Sequence, residues 1–219
     1  MAVRIKICGI NSADAADAAM RAGADFAGLV FHPASPRNLT LEAAASVAGR
    51  LRGRAKLAAL IADLEDDRIA AIVGAVKPDF LQLHGAESAG RAVAIRAKFG
   101  VPLVKVFSVA EASDFDAVPA FDDIADMFLF DAKAPASAAR GGGHGVAFDW
   151  QLLRGRTFAR PWLLAGGLNA GNVARAIEAS GAPCVDVSSG VESAPGVKSP
   201  AMIAEFSAAA RAAQFAVQA

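Results

Sequence analysis

Residues 3–10 read VRIKICGI, and their alternation sets how the rest of the chain is read. Strand side chains point to opposite faces in turn, so Arg4, Lys6 and Cys8 share one face and Val3, Ile5 and Ile7 share the other. The apolar face asks for a packed neighbour. The other face needs counter-charges if it is covered, because a buried charge is costly unless paired. Gly9 then gives the chain room to turn away from the thiol.

Working outward, seven similar runs follow: FAGLVF to Phe31, KLAALIA to about Ala62, FLQLH to His84, PLVKVF to Phe107, MFLFD to Asp131, PWLLAG to Gly166 and CVDVSS, ending near Ser188. Alanine-rich helical stretches lie between them. NSADAADAAMRAG carries Ser12 as a cap, an early acid at Asp14 and a terminal glycine, Gly23. TLEAAASVAGRL, DDRIAAIVGAV, AESAGRAVAIRAKFG, NAGNVARAIEASG and SPAMIAEFSAAARAAQF read as helices too, whereas VAEASDFDAVPAF is irregular and Pro119 should end any helix there. Strand followed by helix, repeated eight times, predicts a parallel sheet. Right-handed crossovers close such a series most simply into a single (β/α)8 barrel, a TIM barrel, over residues 1–219. A doubly wound open sheet is the alternative, but no switch point is visible.

In a closed barrel the first strand pairs with the eighth. Asp186 then approaches Arg4 or Lys6, and a Lys6–Asp186 contact is expected. Lys105 and Gln82 alternate in the same way, which suggests a polar, ion-paired barrel interior with the Val/Ile/Leu faces against the helices. Cys8 ends its strand and Cys184 begins its own, so the thiols fall on the order of 13 Å apart, too far for a disulfide.

The formal net charge is zero, which gives no general pull towards nucleic acid or an anionic membrane and leaves room for a local phosphate site. Hydrophobic residues make up 54% of the 219, enough for a large core, yet no apolar run is long enough to span a bilayer. A cytoplasmic, reduced protein is expected, without structural zinc, since no CxxC occurs and His32, His84 and His144 are scattered.

Barrel enzymes place their sites at the C-terminal strand ends. Cys8 is there as a base, a nucleophile or simply a small buried residue. Asp131 is a general acid or a cap. Arg37, in SPRNLT, could grip a carboxylate or phosphate, or be a solvated loop side chain. LAGGLN and VSSGVE occupy the positions after strands seven and eight, where such barrels hold phosphate. The Gly141–Gly145 loop is a further phosphate contact, a lid or a plain connector.

Together KICGI, GLVFHPASPRNLT, LQLHG, LFDAK, GGHGVAFDW, LLAGGLNAGNV and VDVSSGVESAPGVKS resemble the phosphoribosylanthranilate isomerase family, in order and over nearly the whole chain. The resemblance implies an Amadori rearrangement in tryptophan biosynthesis, with no cofactor or metal, a phosphosugar substrate, and a monomer or homodimer. It implies Cys8 as general base and Asp131 as general acid. It implies Arg37 on the anthranilate carboxylate, and Gly167, Ser188, Ser189 and Gly190 on the phosphate. His144 stands where many members carry a small hydroxyl residue; His32 and His84 read as supporting residues. Other phosphosugar barrels, such as indole-glycerol-phosphate synthase or a tryptophan synthase α-like chain, would need acidic or lysine pairs at strand ends, and no glutamate ends any of the eight runs. A non-catalytic phosphometabolite binder would have no need of Cys8 together with Asp131.

Overall fold

A computed structural model describes residues 2–133 and 148–213. The Gly141–Gly145 loop and His144 lie outside them. Eight parallel strands close into a barrel in sequence order. They are β1 (Arg4–Cys8), β2 (Phe26–Phe31), β3 (Lys56–Ile61), β4 (Phe80–Leu83), β5 (Leu103–Val109), β6 (Met127–Ala132), β7 (Trp162–Leu164) and β8 (Cys184–Val187). Each expected run holds its strand, with ends displaced by up to two residues.

The helices are α1 (Ala13–Arg21), α2 (Leu41–Leu51), α3 (Asp66–Val76), α4 (Ala89–Phe99), α5 (Val173–Ser180) and α6 (Pro200–Ala212). Ser12, Thr40, Ser88 and Ser199 accept backbone N–H bonds at four helix starts, satisfying donors that have no partner within the helix. After β5 the chain forms a 3₁₀ helix, Ala112–Phe121, rather than an α-helix. Pro119 sits inside it, and its carbonyl accepts the Asp122 N–H that closes the last turn. Its missing N–H thus falls one turn before the end, where it costs little.

The outward strand faces pack on the helices through Ile5, Ile7, Leu29, Phe31, Leu81 and Phe128, among others. A second apolar cluster fills the barrel itself: Phe26, Val104, Val106, Met127, Leu129, Leu163, Ala165 and Cys184. The interior is therefore less polar than alternation suggested. Lys6 and Asp186 do meet there, as expected, at 2.9 Å. Gln82 also faces inward, fully buried, in step with Phe80.

Two side chains differ from expectation. Arg4 is exposed at the N-terminal mouth, its guanidinium over the Phe26 ring, and makes no pair with Asp186. Lys105 shares its face with Leu103 and Phe107, so it points out of the barrel, where it pairs with buried Glu87 at 3.3 Å. The reason is that β5 turns Val104 and Val106 inward, and the outer layer can bury an ion pair as well as the inner one.

Beyond β8 the chain makes a small hairpin that strand counting does not anticipate: β9 (Glu192–Ala194) pairs antiparallel with β10 (Val197–Lys198). No helix among the described residues is long and apolar enough to cross a membrane.

Candidate active site

The strand ends at the C-terminal face open into one cleft of about 890 Å³, counting its mouth. Cys8, Arg37, Asp131 and Ser188 all line it, as do His32, Asp63, His84 and Asp186. Inward alternation explains the set. Cys8 is one step above Lys6 on β1, Asp131 one step above Leu129 on β6, and Ser188 one step above Asp186 on β8. Gly167, Ser189 and Gly190 are not in the lining; they stand beside Ser188 in the two loops after β7 and β8. Those loops touch so closely that a Cβ on Gly190 would lie 1.8 Å from the Leu168 carbonyl oxygen.

Cys8 is buried beside two cations. Burial pushes its thiol up from the usual value; Lys6 pulls it down, Asp186 adds to the rise, and Lys198 again pulls down. Burial prevails, so the resting thiol is above its ordinary 9.0. Gly28, opposite on β2, leaves room for this arrangement: a Cβ there would sit 2.8 Å from Cys8 Sγ and 3.2 Å from Lys6 Nζ. Lys6 itself is held charged. Burial would lower it, but the Asp186 carboxylate and Cys8 together outweigh that and raise it.

Across the cleft, Asp131 Oδ1 accepts the Ala132 N–H at 2.9 Å, and Oδ2 is 3.5 Å from His84 Nε2. Arg37 is fixed by a residue that strand-end reading does not reach. Glu192, on β9, takes Nε and Nη2 of Arg37 in a two-toothed grip at 2.6 and 2.7 Å. Glu192 also accepts from Lys198 Nζ at 2.8 Å, and Lys198 donates to the carbonyl of Ser188. Burial would raise the Glu192 carboxyl, but Arg37 and Lys198 overcome this and hold it below the usual range. The turn signal Ala194-Pro195-Gly196 before Val197-Lys198 is the one feature of the sequence that marks this hairpin. Gly9 makes the grip possible from the other side, since a Cβ there would fall 2.4 Å from Arg37 Cδ.

The cleft thus sets a thiol near cations, a carboxylate beside an imidazole, and a braced guanidinium around one space. Such an arrangement can deliver a proton on one side of a small anion and remove one on the other. Residues 5–209 match the family model described as N-(5'phosphoribosyl)anthranilate (PRA) isomerase. The N-(5'-phosphoribosyl)anthranilate isomerase of Rhodopseudomonas palustris (strain BisB5) is 48% identical over 214 residues, covering 98% of each chain. The crystal structure of phosphoribosyl anthranilate isomerase from Thermotoga maritima superposes with a TM-score of 0.83 at 32% identity, over 95% of this chain and 98% of that one. A phosphoribosyl anthranilate isomerase in complex with reduced 1-(o-carboxyphenylamino)-1-deoxyribulose 5-phosphate gives 0.81 at 30% identity, with the same two coverages. Matched along its length by fold, by sequence and by a family-wide pattern, the chain belongs to the N-(5'-phosphoribosyl)anthranilate isomerase family.

Proposed function

We propose that Cys8 and Asp131 divide the acid and base work of the isomerisation between them. The enzyme is a phosphoribosylanthranilate isomerase of tryptophan biosynthesis, and the reaction converts an aldose to a ketose. Hydrogen moves between two carbons of one molecule, so the balance needs no outside oxidant or reductant. Asp131 protonates the furanose ring oxygen as the C1′–O bond breaks, and the anilino nitrogen lone pair forms the C=N bond of an iminium. Cys8, as thiolate, takes the C2′ proton, and the electron pair moves to give an enolamine. Protonation at C1′ and loss of the O2′ proton then give the ketone.

What carries this reading is the placement of Cys8 and Asp131 in one cleft, on strands three places apart around the ring. A substrate lying across the barrel mouth can meet both. Arg37, braced by Glu192, takes the anthranilate carboxylate, and the loops bearing Gly167, Ser188, Ser189 and Gly190 take the phosphate. Anchoring both ends holds the sugar in reacting geometry between them. The iminium adds a positive charge near Cys8 at the step where the thiolate is needed.

The test is an isomerase assay of wild type, Cys8→Ala and Asp131→Asn. Each substitution should lower kcat by about 10²- to 10⁴-fold, the usual weight of a positioned acid or base. Near-normal turnover in either variant removes that residue from its role.

A further inference from the structure

We propose that Asp131 shares its catalytic proton with His84, and that Gln82 orients the imidazole in either of its protonation states. This rests on Asp131 being the general acid. Gln82, His84 and Asp131 form a line from the closed barrel interior to the cleft. Gln82 Nε2 is 3.2 Å from His84 Nδ1, and His84 Nε2 is 3.5 Å from Asp131 Oδ2. The other carboxylate oxygen is occupied by the Ala132 N–H, so the transferable proton belongs on Oδ2, the oxygen that faces the ring.

Gln82 is fully buried, and its Oε1 has no hydrogen-bond partner among the described residues. That orphan atom has a use. Before His84 takes up a second proton, the Gln82 amide N–H donates to Nδ1, and the one ring proton sits on Nε2, toward Asp131. When His84 gains a second proton, Nδ1–H needs an acceptor, and a half-turn of the amide presents Oε1. One side chain therefore serves both states without stranding a buried N–H. An aliphatic residue of the same size could serve neither.

The proton count closes. The loaded pair holds one proton more than neutral imidazole plus carboxylate. That proton moves from Nε2 to Oδ2, and from Oδ2 to the furanose ring oxygen as the C1′–O bond breaks, leaving ionised Asp131 and a neutral His84 whose proton sits on Nδ1 facing Gln82 Oε1; solvent then returns a proton to Nε2. The other ionisable groups around it are Cys8 from β1, His32 and Arg37 after β2, Asp63 after β3, and Asp186 on β8. Glu87 and Lys105 lie behind Gly85 and are paired with each other. His84 is thus a positioning residue that acts through Asp131.

The experiment compares kcat and kcat/KM against pH for wild type, His84→Gln and Asp131→Asn, with ¹⁵N-histidine NMR of the wild type. His84→Gln keeps a donor toward Asp131 but cannot titrate. It should lower kcat at neutral pH about 10- to 100-fold, within the range of acid–base assistance, with KM changed less than about threefold. The high-pH decline of kcat/KM should move to lower pH. In the wild type, one of the three histidine rings should titrate with that decline, and its signal should vanish in His84→Gln. An unchanged kcat and pH profile in His84→Gln, with Asp131→Asn inactive, overturns the shared proton while leaving Asp131 as the acid. If His84→Gln does not fold, the wild-type spectrum decides: no ring titrating with the decline overturns the proposal. An active Asp131→Asn removes the acid assignment on which it stands.

Discussion

Glu192 holds Arg37 by two parallel hydrogen bonds, 2.6 and 2.7 Å, from a hairpin that begins only after the barrel has closed. Both Nε and Nη2 are engaged, while Nη1 has no partner among the described residues. The guanidinium is thus fixed in plane, and Nη1 is the nitrogen that the proposed substrate carboxylate would meet.

Removing the brace should loosen binding more than chemistry. Glu192→Gln should raise KM about 10-fold or more, the worth of a charge-assisted hydrogen bond, while kcat stays within about threefold. Steady-state kinetics with a circular-dichroism check for folding would show this; an unchanged KM contradicts it. The same variant tests acid stability. The Glu192 carboxyl is lowered in the folded state, so its stabilising contribution is complete above its ordinary 4.5 and is lost as pH falls through the lower folded value. Below pH 4.5, stability should fall less steeply in Glu192→Gln than in wild type.

Lys6 and Asp186 should behave as a buried pair. Lys6→Met alone leaves a buried carboxylate without its cation and should cost about 3–5 kcal/mol. Lys6→Met combined with Asp186→Leu should cost less than the single substitution, because no lone charge remains. Urea unfolding of wild type, both single variants and the double variant completes the cycle; additive losses would show the two residues uncoupled.

Because burial raises the Cys8 thiol above 9.0, its alkylation by iodoacetamide in a Cys184→Ser background should keep accelerating as pH passes that value. A plateau by pH 8 would contradict it. Lys6→Met should slow the reaction at a fixed pH, since it removes a cation that favours thiolate. Bound product should shield Cys8 from the reagent.

Gly190→Ala would drive a methyl group into the Leu168 carbonyl, a backbone atom that cannot swing aside. Overpacking of this kind costs about 1–3 kcal/mol and forces the loops after β7 and β8 apart. The variant should melt lower and show a raised KM, with the larger change for a phosphate-bearing ligand than for free anthranilate. Equal effects on the two would place the phosphate elsewhere.

Period-two alternation was enough to find Lys6 opposite Asp186 and to bring Cys8, Asp131 and Ser188 to one rim. It could not say which face of a strand is the inside. Lys105 shows why: both faces of a barrel strand are covered, and a cation can be paired on either. The turn to the outside is decided by the whole ring, since Val104 and Val106 join Met127 and Leu163 of the next two strands in the interior cluster. Glu192 was out of reach for another reason. It belongs to a strand of three residues that pairs with one of two, too short to leave a periodic trace. His84 was legible as a position but not as a partner, since its meaning depends on Gln82 beneath it and Asp131 two strands away.

The Lys6–Asp186 pair joins residues 180 positions apart, and Arg37 and Glu192 are separated by 155. During synthesis the first strand leaves the ribosome long before either counter-charge exists. Until residues 184–198 emerge, Lys6 cannot be sealed in the interior without stranding its charge. Final closure of the ring therefore waits for its last strand, and the nascent chain keeps its first strand unsealed until that strand has emerged. A truncated product lacking that segment would carry an open seam at β1, marked for chaperones and proteases by the same strand that later carries the thiol.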